Sequence, residues 1–315
     1  MAILGLAVVA VVGNDYRISE ERLTIDVAGG RLDAVLARPR DGTARGLVVM
    51  VHGDGPVEAT HHGLYRPWFE AAADAGFATL SWSKRAGWLT QTMDDRAREV
   101  GAAIDWARGL AGLPTGTVVL WGASQAGWVL PKVVAARDDL AGIVAVSPAI
   151  NWLRQGRYHL LAELRDASPA DRERAVAVSD QTRRLLDDGA DYATYRDATA
   201  DPEPMDAARW GFVRLNYRSD ATADLIAAQD KRVPTLLMLG NHDLNVDVAE
   251  TAGTYQRILG PDVRVERFDA AHSMARPVME RSAPAGLATG ILWPRALLAD
   301  GVLDRYRSYL EQLPN

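Results

Sequence analysis

The 315-residue sequence contains no cysteine, so disulfides, thiolate metal sites and cysteine nucleophiles are excluded together. The same absence leaves the compartment unread from redox chemistry. Basic residues are nowhere dense: 35 Lys and Arg stand against 41 Asp and Glu, a formal charge of −6. Without a basic stripe, a nucleic-acid partner is argued against. The apolar start, MAILGLAVVAVVG over 1–13, is too short for a bilayer span of about 20 residues. It resembles the apolar region of an export signal but lacks the positive region that should precede it. The reading is a truncated signal or anchor with its linker over 1–20, which favours an extracytoplasmic or membrane-associated protein tethered through its N terminus. An extra buried strand or an apolar tail is the plainer alternative.

What is present suits a packed domain: 48% of residues are hydrophobic and 24% charged, ordinary for a globular chain. Residues 23–27 and 32–37 alternate apolar and polar on either side of Gly29 and Gly30, a hairpin signal. Short continuous apolar runs follow at 46–51, 77–82, 117–121, 142–146 and 234–239, as expected of strands buried on both faces. Helical patterns at 64–75, 93–110 and 125–136 separate them, so the order predicts an α/β fold with a doubly wound, mostly parallel sheet. Ligands bind such sheets at the carboxyl ends of the strands. Between 151 and 229 the strand rhythm stops and helical stretches at 158–165, 170–186 and 204–217 follow one another. This predicts a helical cap over 151–229, inserted into a core of 21–150 and 230–315. The core resumes with a helix at 246–259, a strand at 263–268 and a last helix at 299–313.

The chemistry gathers at strand ends. TVVLWGASQAG over 117–127 is a strand, a Gly-Ala-Ser-Gln-Ala-Gly bend and a helix, the pattern of a nucleophile elbow centred on Ser124. Small residues two before and two after, Gly122 and Ala126, let strand and helix approach closely. His52-Gly53-Asp54-Gly55-Pro56 directly follows the first parallel strand. The amide N–H of Gln125 together with one at Gly53 or Asp54 is therefore the predicted oxyanion hole. His52 reads as a structural residue of that loop, and His61 and His62 as surface or pocket-rim residues. Asp243 follows the 234–239 strand on a loop, whereas its rival Asp247 sits where a helix starts. His272 follows the last strand and is the one histidine beyond Asp243. Order and placement predict Ser124 as nucleophile, His272 as general base and Asp243 as orienting acid, with no metal and no cofactor.

On these residues the chain resembles the α/β-hydrolase superfamily from about 23 to 313. It is most similar to bacterial acyl hydrolases related to serine aminopeptidases and bile-acid-CoA:amino-acid acyltransferase-like thioesterases. HGDGP here is similar to their HGSGP, and Trp128 and Pro131 follow the elbow as in them. Ser83-Lys84-Arg85-Ala86-Gly87 departs from the Asp-x-Arg-Gly of many relatives, which removes the usual bracing of that loop.

The expected partner is a small acyl substrate, and the expected reaction is hydrolysis of a carboxylic ester through an acyl-enzyme. Trp128, Trp210, Phe212 and Tyr217, with Trp152 and Tyr158, are candidate walls of an apolar acyl pocket; the plainer reading packs each between cap and core. An aminopeptidase would need acids for a substrate amine, for which Asp201 and Glu203 are candidates. A thioesterase shares the same chemistry. A lyase or acyltransferase, or a binding protein on the same fold, completes the alternatives.

Overall fold

The computed structural model describes residues 9–42 and 44–314. Eight strands form one sheet: β1 (Ile18–Val27), β2 (Gly30–Pro39), β3 (Gly46–Val51), β4 (Phe77–Trp82), β5 (Val118–Ala123), β6 (Gly142–Val146), β7 (Thr235–Gly240) and β8 (Val263–Phe268). Their spatial order is β1-β2-β4-β3-β5-β6-β7-β8. The β1–β2 hairpin closes with Val27 opposite Gly30, and β2 joins β4 antiparallel; every later pairing is parallel. Every residue of β3, β4, β6 and β7 is buried, the reason these strands read as unbroken apolar runs.

Side chains alternate between the two faces. In β3, Leu47, Val49 and Val51 enter one core and Val48 and Met50 the other. Helices α1 (Arg66–Asp74) and, at the chain's end, α12 (Val302–Gln312) cover the second face. Helices α2 (Met93–Arg108), α3 (Leu130–Ala135) and α9 (Val248–Leu259) cover the first.

Five helices lie between β6 and β7: α4 (Trp152–Glu163), α5 (Pro169–Asp187), α6 (Tyr192–Ala198), α7 (Ala207–Asn216) and α8 (Ala221–Ala228). Asn151, Ser168, Asp191, Asp206 and Asp220 cap them, each accepting a backbone N–H of the first turn. Such caps contribute about 1 kcal/mol apiece. Leu186, Tyr195, Trp210, Val213 and Tyr217 form a separate small core inside this insertion. Its last helix, by contrast, packs Leu225 and Ala228 into the main core.

Two helices without a counterpart in the sequence reading, α10 (Pro277–Arg281) and α11 (Ala283–Leu292), follow β8. Two glycines and a proline within α11 blur any helical pattern there. The expected export or anchor segment lies mostly outside the described residues. Its described end stands against α11, where the Asn14 Nδ2 group donates to the Ile291 carbonyl at 2.9 Å. No described helix is long and apolar enough to cross a membrane.

Candidate active site

The chain turns sharply out of β5 at Ser124, whose φ of 54° lies in the left-handed region. A non-glycine residue held there costs roughly 1–3 kcal/mol and is kept only when the surroundings enforce it. They do: a Cβ on Gly122 would come 2.8 Å from the Ala126 Cβ, and one on Gly127 would come 2.4 Å from the Ala149 carbonyl oxygen. Ala149 in turn donates its N–H to the Ser124 carbonyl at 3.1 Å.

Asp243 and His272 come from neighbouring loops. The loops after β7 and β8 press together at Gly240, where a Cβ would lie 2.5 Å from the carbonyl oxygens of both Ala270 and Ala271. That approach lets the His272 Nδ1 donate to the Asp243 Oδ2 at 2.8 Å. Asp243 Oδ1 accepts the N–H groups of Asn245 and Val246, each at 2.8 Å. Both oxygens of the buried carboxylate thus accept hydrogen bonds. With Nδ1 donating, the imidazole keeps its other nitrogen, Nε2, as a base.

Ser124 and His272 line one cavity of about 370 Å³ together with Gly53, Asp54 and Trp121. A Cβ on Gly53 would lie 3.3 Å from the Ser124 Cβ, so the loop after β3 rests directly on the elbow. Among the described residues, the Gly53 and Asp54 N–H groups donate to no other protein group. His52 holds this loop from below. Its Nε2 is 2.7 Å from the Trp82 carbonyl, and burial pushes its pKa down to about 3. It is a neutral structural imidazole.

Polar groups crowd behind the loop. Lys84 Nζ donates to the Gly53 carbonyl at 2.5 Å, and Arg96 Nη2 to the His52 carbonyl at 2.6 Å. Arg96 Nη1 also donates to Gln125 Oε1, and Gln125 Nε2 to Asp54 Oδ1 at 2.9 Å. Burial first, then the Arg96 charge, lowers the Lys84 amine to about 6. Asp54 resists its own desolvation: hydrogen bonds and charge from Arg209 keep its carboxyl below the ordinary range. Arg209 reaches it from α7 through both Asp54 oxygens, at 3.1 and 2.7 Å. Sequence reasoning missed Lys84 and Arg96 because patterns of burial are read from apolar residues. The unusual Ser-Lys-Arg-Ala-Gly stretch was the one signal for Lys84.

The pocket assignment needs correcting. Trp128, Trp210, Phe212 and Tyr217 do not line the cavity. Trp128 stacks on Trp152 at 4.9 Å and donates to the Ile150 carbonyl, while Phe212 sits edge-on to Trp88. Trp210 stacks on Tyr195 at 3.9 Å, and the Tyr217 hydroxyl donates to the Leu186 carbonyl. Each fills an interior because a large ring gains most where both its faces are covered. The cavity walls come instead from the core: Leu64, Tyr65, Trp68, Trp121, Leu297 and Leu298. His61 also faces the cavity, with a φ of 49° and a pKa lowered by burial and then by His62.

Other candidates have structural partners. Asp247 caps α9, accepting from Ala249 and Glu250, and His242 pairs with Asp269 at 2.6 Å. Asp201 accepts the Glu203 N–H in a turn and does not line the cavity.

No family model and no curated protein matches the chain. Solved structures do. An esterase of Pyrococcus furiosus superposes with a TM-score of 0.57 at 17% identity, over 88% of this chain and 92% of that one. A fungal esterase of Rhizomucor miehei gives 0.59 at 15%, over 98% and 90%. An acylaminoacyl peptidase of Pyrococcus horikoshii gives 0.55 at 13%, over 96% of this chain but 42% of that longer one. Sheet order, strand-end site and these superpositions agree that the chain has the α/β-hydrolase fold.

Proposed function

We propose that the protein is a serine hydrolase acting on carboxylic esters, with Ser124, His272 and Asp243 as its triad. The observation that carries this reading is the 2.8 Å contact between His272 Nδ1 and Asp243 Oδ2, in a cavity shared with a strained Ser124. His272 Nε2 takes the Ser124 hydroxyl proton as Oγ attacks the ester carbonyl. The Asp243 carboxylate stabilises the imidazolium that forms. Negative charge on the former carbonyl oxygen is received by the N–H of Gln125 and those of Gly53 and Asp54. Each such donor contributes about 100-fold or more in rate. The intermediate collapses, the alcohol leaves with the proton held by His272, and the acyl group stays on Oγ. Water, deprotonated by His272, then releases the acid and restores the serine.

The esterase neighbours favour ester substrates, and the aromatic and aliphatic walls favour an apolar group beside the scissile bond. Thioesters fit the same steps. An aminopeptidase reading draws less support, since Asp201 and Glu203 do not line the cavity. Reaction with a fluorophosphonate probe, with turnover of p-nitrophenyl esters, tests the reading. The parent is expected to label and turn over, and Ser124→Ala to do neither. Turnover surviving in Ser124→Ala would sink the assignment.

A further inference from the structure

The loop that carries two of the expected oxyanion donors is held from behind by a buried amine and a buried guanidinium. Lys84 Nζ takes the Gly53 carbonyl and Arg96 Nη2 the His52 carbonyl. Both cationic side chains also reach the same oxygen, Gln125 Oε1, so they stand on one side of the loop. A trans peptide is planar, with its C=O and N–H pointing in opposite directions. Pulling the His52 carbonyl toward Arg96 therefore turns the Gly53 N–H the other way, and Lys84 does the same for the Asp54 N–H through the Gly53 carbonyl. A Cβ on Gly53 would lie 3.3 Å from the Ser124 Cβ, so these peptides stand beside the nucleophile.

Stability does not account for the lysine. Its head group is largely buried and faces Arg96, with its Nζ 4.4 Å from the centre of the Trp88 ring. Burying that amine beside the Arg96 charge is a cost to the fold. Glu99 is engaged mainly by Arg85 at 2.7 Å and by the Trp82 indole N–H at 2.9 Å. Asp54 is held by Arg209. Methionine would fill the same space against Trp88 without a desolvated amine. What methionine lacks is a donor for the Gly53 carbonyl.

We propose that Lys84 and Arg96 are positioning residues that set the His52–Gly53 and Gly53–Asp54 peptide planes, aiming their N–H groups at the oxygen of the carbonyl attacked by Ser124. The inference rests on the serine-hydrolase reading. It also gives the departure at 83–87 a role: a lysine donor now braces the loop.

The test compares Lys84→Met, Lys84→Arg and Arg96→Lys with the parent in three measurements. These are kcat and KM on a p-nitrophenyl ester, inhibition by a trifluoromethyl ketone that forms a serine hemiketal, and the thermal midpoint. Lys84→Met is expected to lower kcat about 10- to 100-fold. It should weaken the ketone by a similar factor, leave KM nearly unchanged and not lower the thermal midpoint. Lys84→Arg, which restores an N–H donor, should recover most of the loss. Arg96→Lys, which keeps one of two donors, should show a smaller loss in the same pattern. A purely structural role would lower the midpoint and spare the ratio of ketone affinity to ester KM. That outcome, or unchanged kcat in Lys84→Met, overturns the inference. Failure of the serine-hydrolase reading shows itself separately, as turnover in Ser124→Ala, and takes this inference with it.

Discussion

The core and the helical insertion both reach the candidate site, but they do different work there. The core supplies Ser124, His272, Asp243, the His52–Gly55 loop and the cavity walls. The insertion supplies braces. Tyr158 of α4 donates its hydroxyl to the Asp243 carbonyl at 2.9 Å, and Gln155 donates to the Asn245 carbonyl at 2.9 Å. His159 lies 3.0 Å from the Leu244 carbonyl. Arg209 of α7 ties Asp54. The insertion thus grips the backbone of the loop after β7 and the Asp54 carboxylate of the loop after β3, while Trp210, Tyr195 and Tyr217 fill its own small core and Phe212 and Trp152 pack against the main one. An inserted helical layer must bury its own apolar side chains before it can offer any to a ligand.

The strongest test of that division is at the core's reacting groups. Ser124→Ala and His272→Ala are each expected to reduce kcat for p-nitrophenyl esters by up to about 10⁶-fold, with the protein still folded by circular dichroism. Asp243→Asn should cost about 10⁴-fold, because an amide facing Nδ1 favours the wrong tautomer. Full activity in Asp243→Asn alongside loss in Asp247→Asn would move the acid to the other end of the same loop.

Next come the braces. Arg209→Met should lower kcat/KM by up to about tenfold; the pair it breaks is partly exposed, which limits its strength. A loss as deep as that of Asp243→Asn would give the insertion a chemical role and break the comparison. The walls sharpen it. Leu298→Trp should shorten the longest acyl chain accepted in a series of p-nitrophenyl esters. Trp210→Ala should leave that preference alone and lower stability by roughly 3–5 kcal/mol in urea denaturation. Altered chain preference in Trp210→Ala would return the insertion's aromatics to the pocket.

A last effect concerns Lys84 and pH. Its amine titrates near 6 when folded and near the ordinary value of about 10.4 when unfolded. Between those values the unfolded chain binds more protons, so this group makes stability rise with pH; below about 6 its penalty is constant. Lys84→Met should therefore flatten the rise in urea midpoint from pH 6 to pH 9 relative to the parent.

Much of this was readable in the chain. The buried strands announced themselves as unbroken apolar runs, and Gly122 of the elbow stands where a Cβ would collide with Ala126, while one on Gly53 would crowd Ser124. The helices α6 and α8 were missed as separate elements, although Asp191 and Asp220 were their capping signals. The pocket aromatics were misplaced for a physical reason: a ring's apolarity demands cover but does not say from which neighbour. Trp128 and Tyr65 look equally suited to a wall, yet one is sealed against Trp152 and the other faces the cavity.

The amino-acid order by itself determined the strand and helix alternation, the bend at Ser124 and the strand ends at which Asp243 and His272 stand, since these follow from local periodicity and steric limits. Only the tertiary structure decided which walls enclose the cavity and which groups lie behind the His52–Gly55 loop. Those contacts join residues such as His52 and Arg96, 44 positions apart, or Asp54 and Arg209, 155 apart. Pairings of that range depend on how layers pack, and no local pattern in the sequence carries that information.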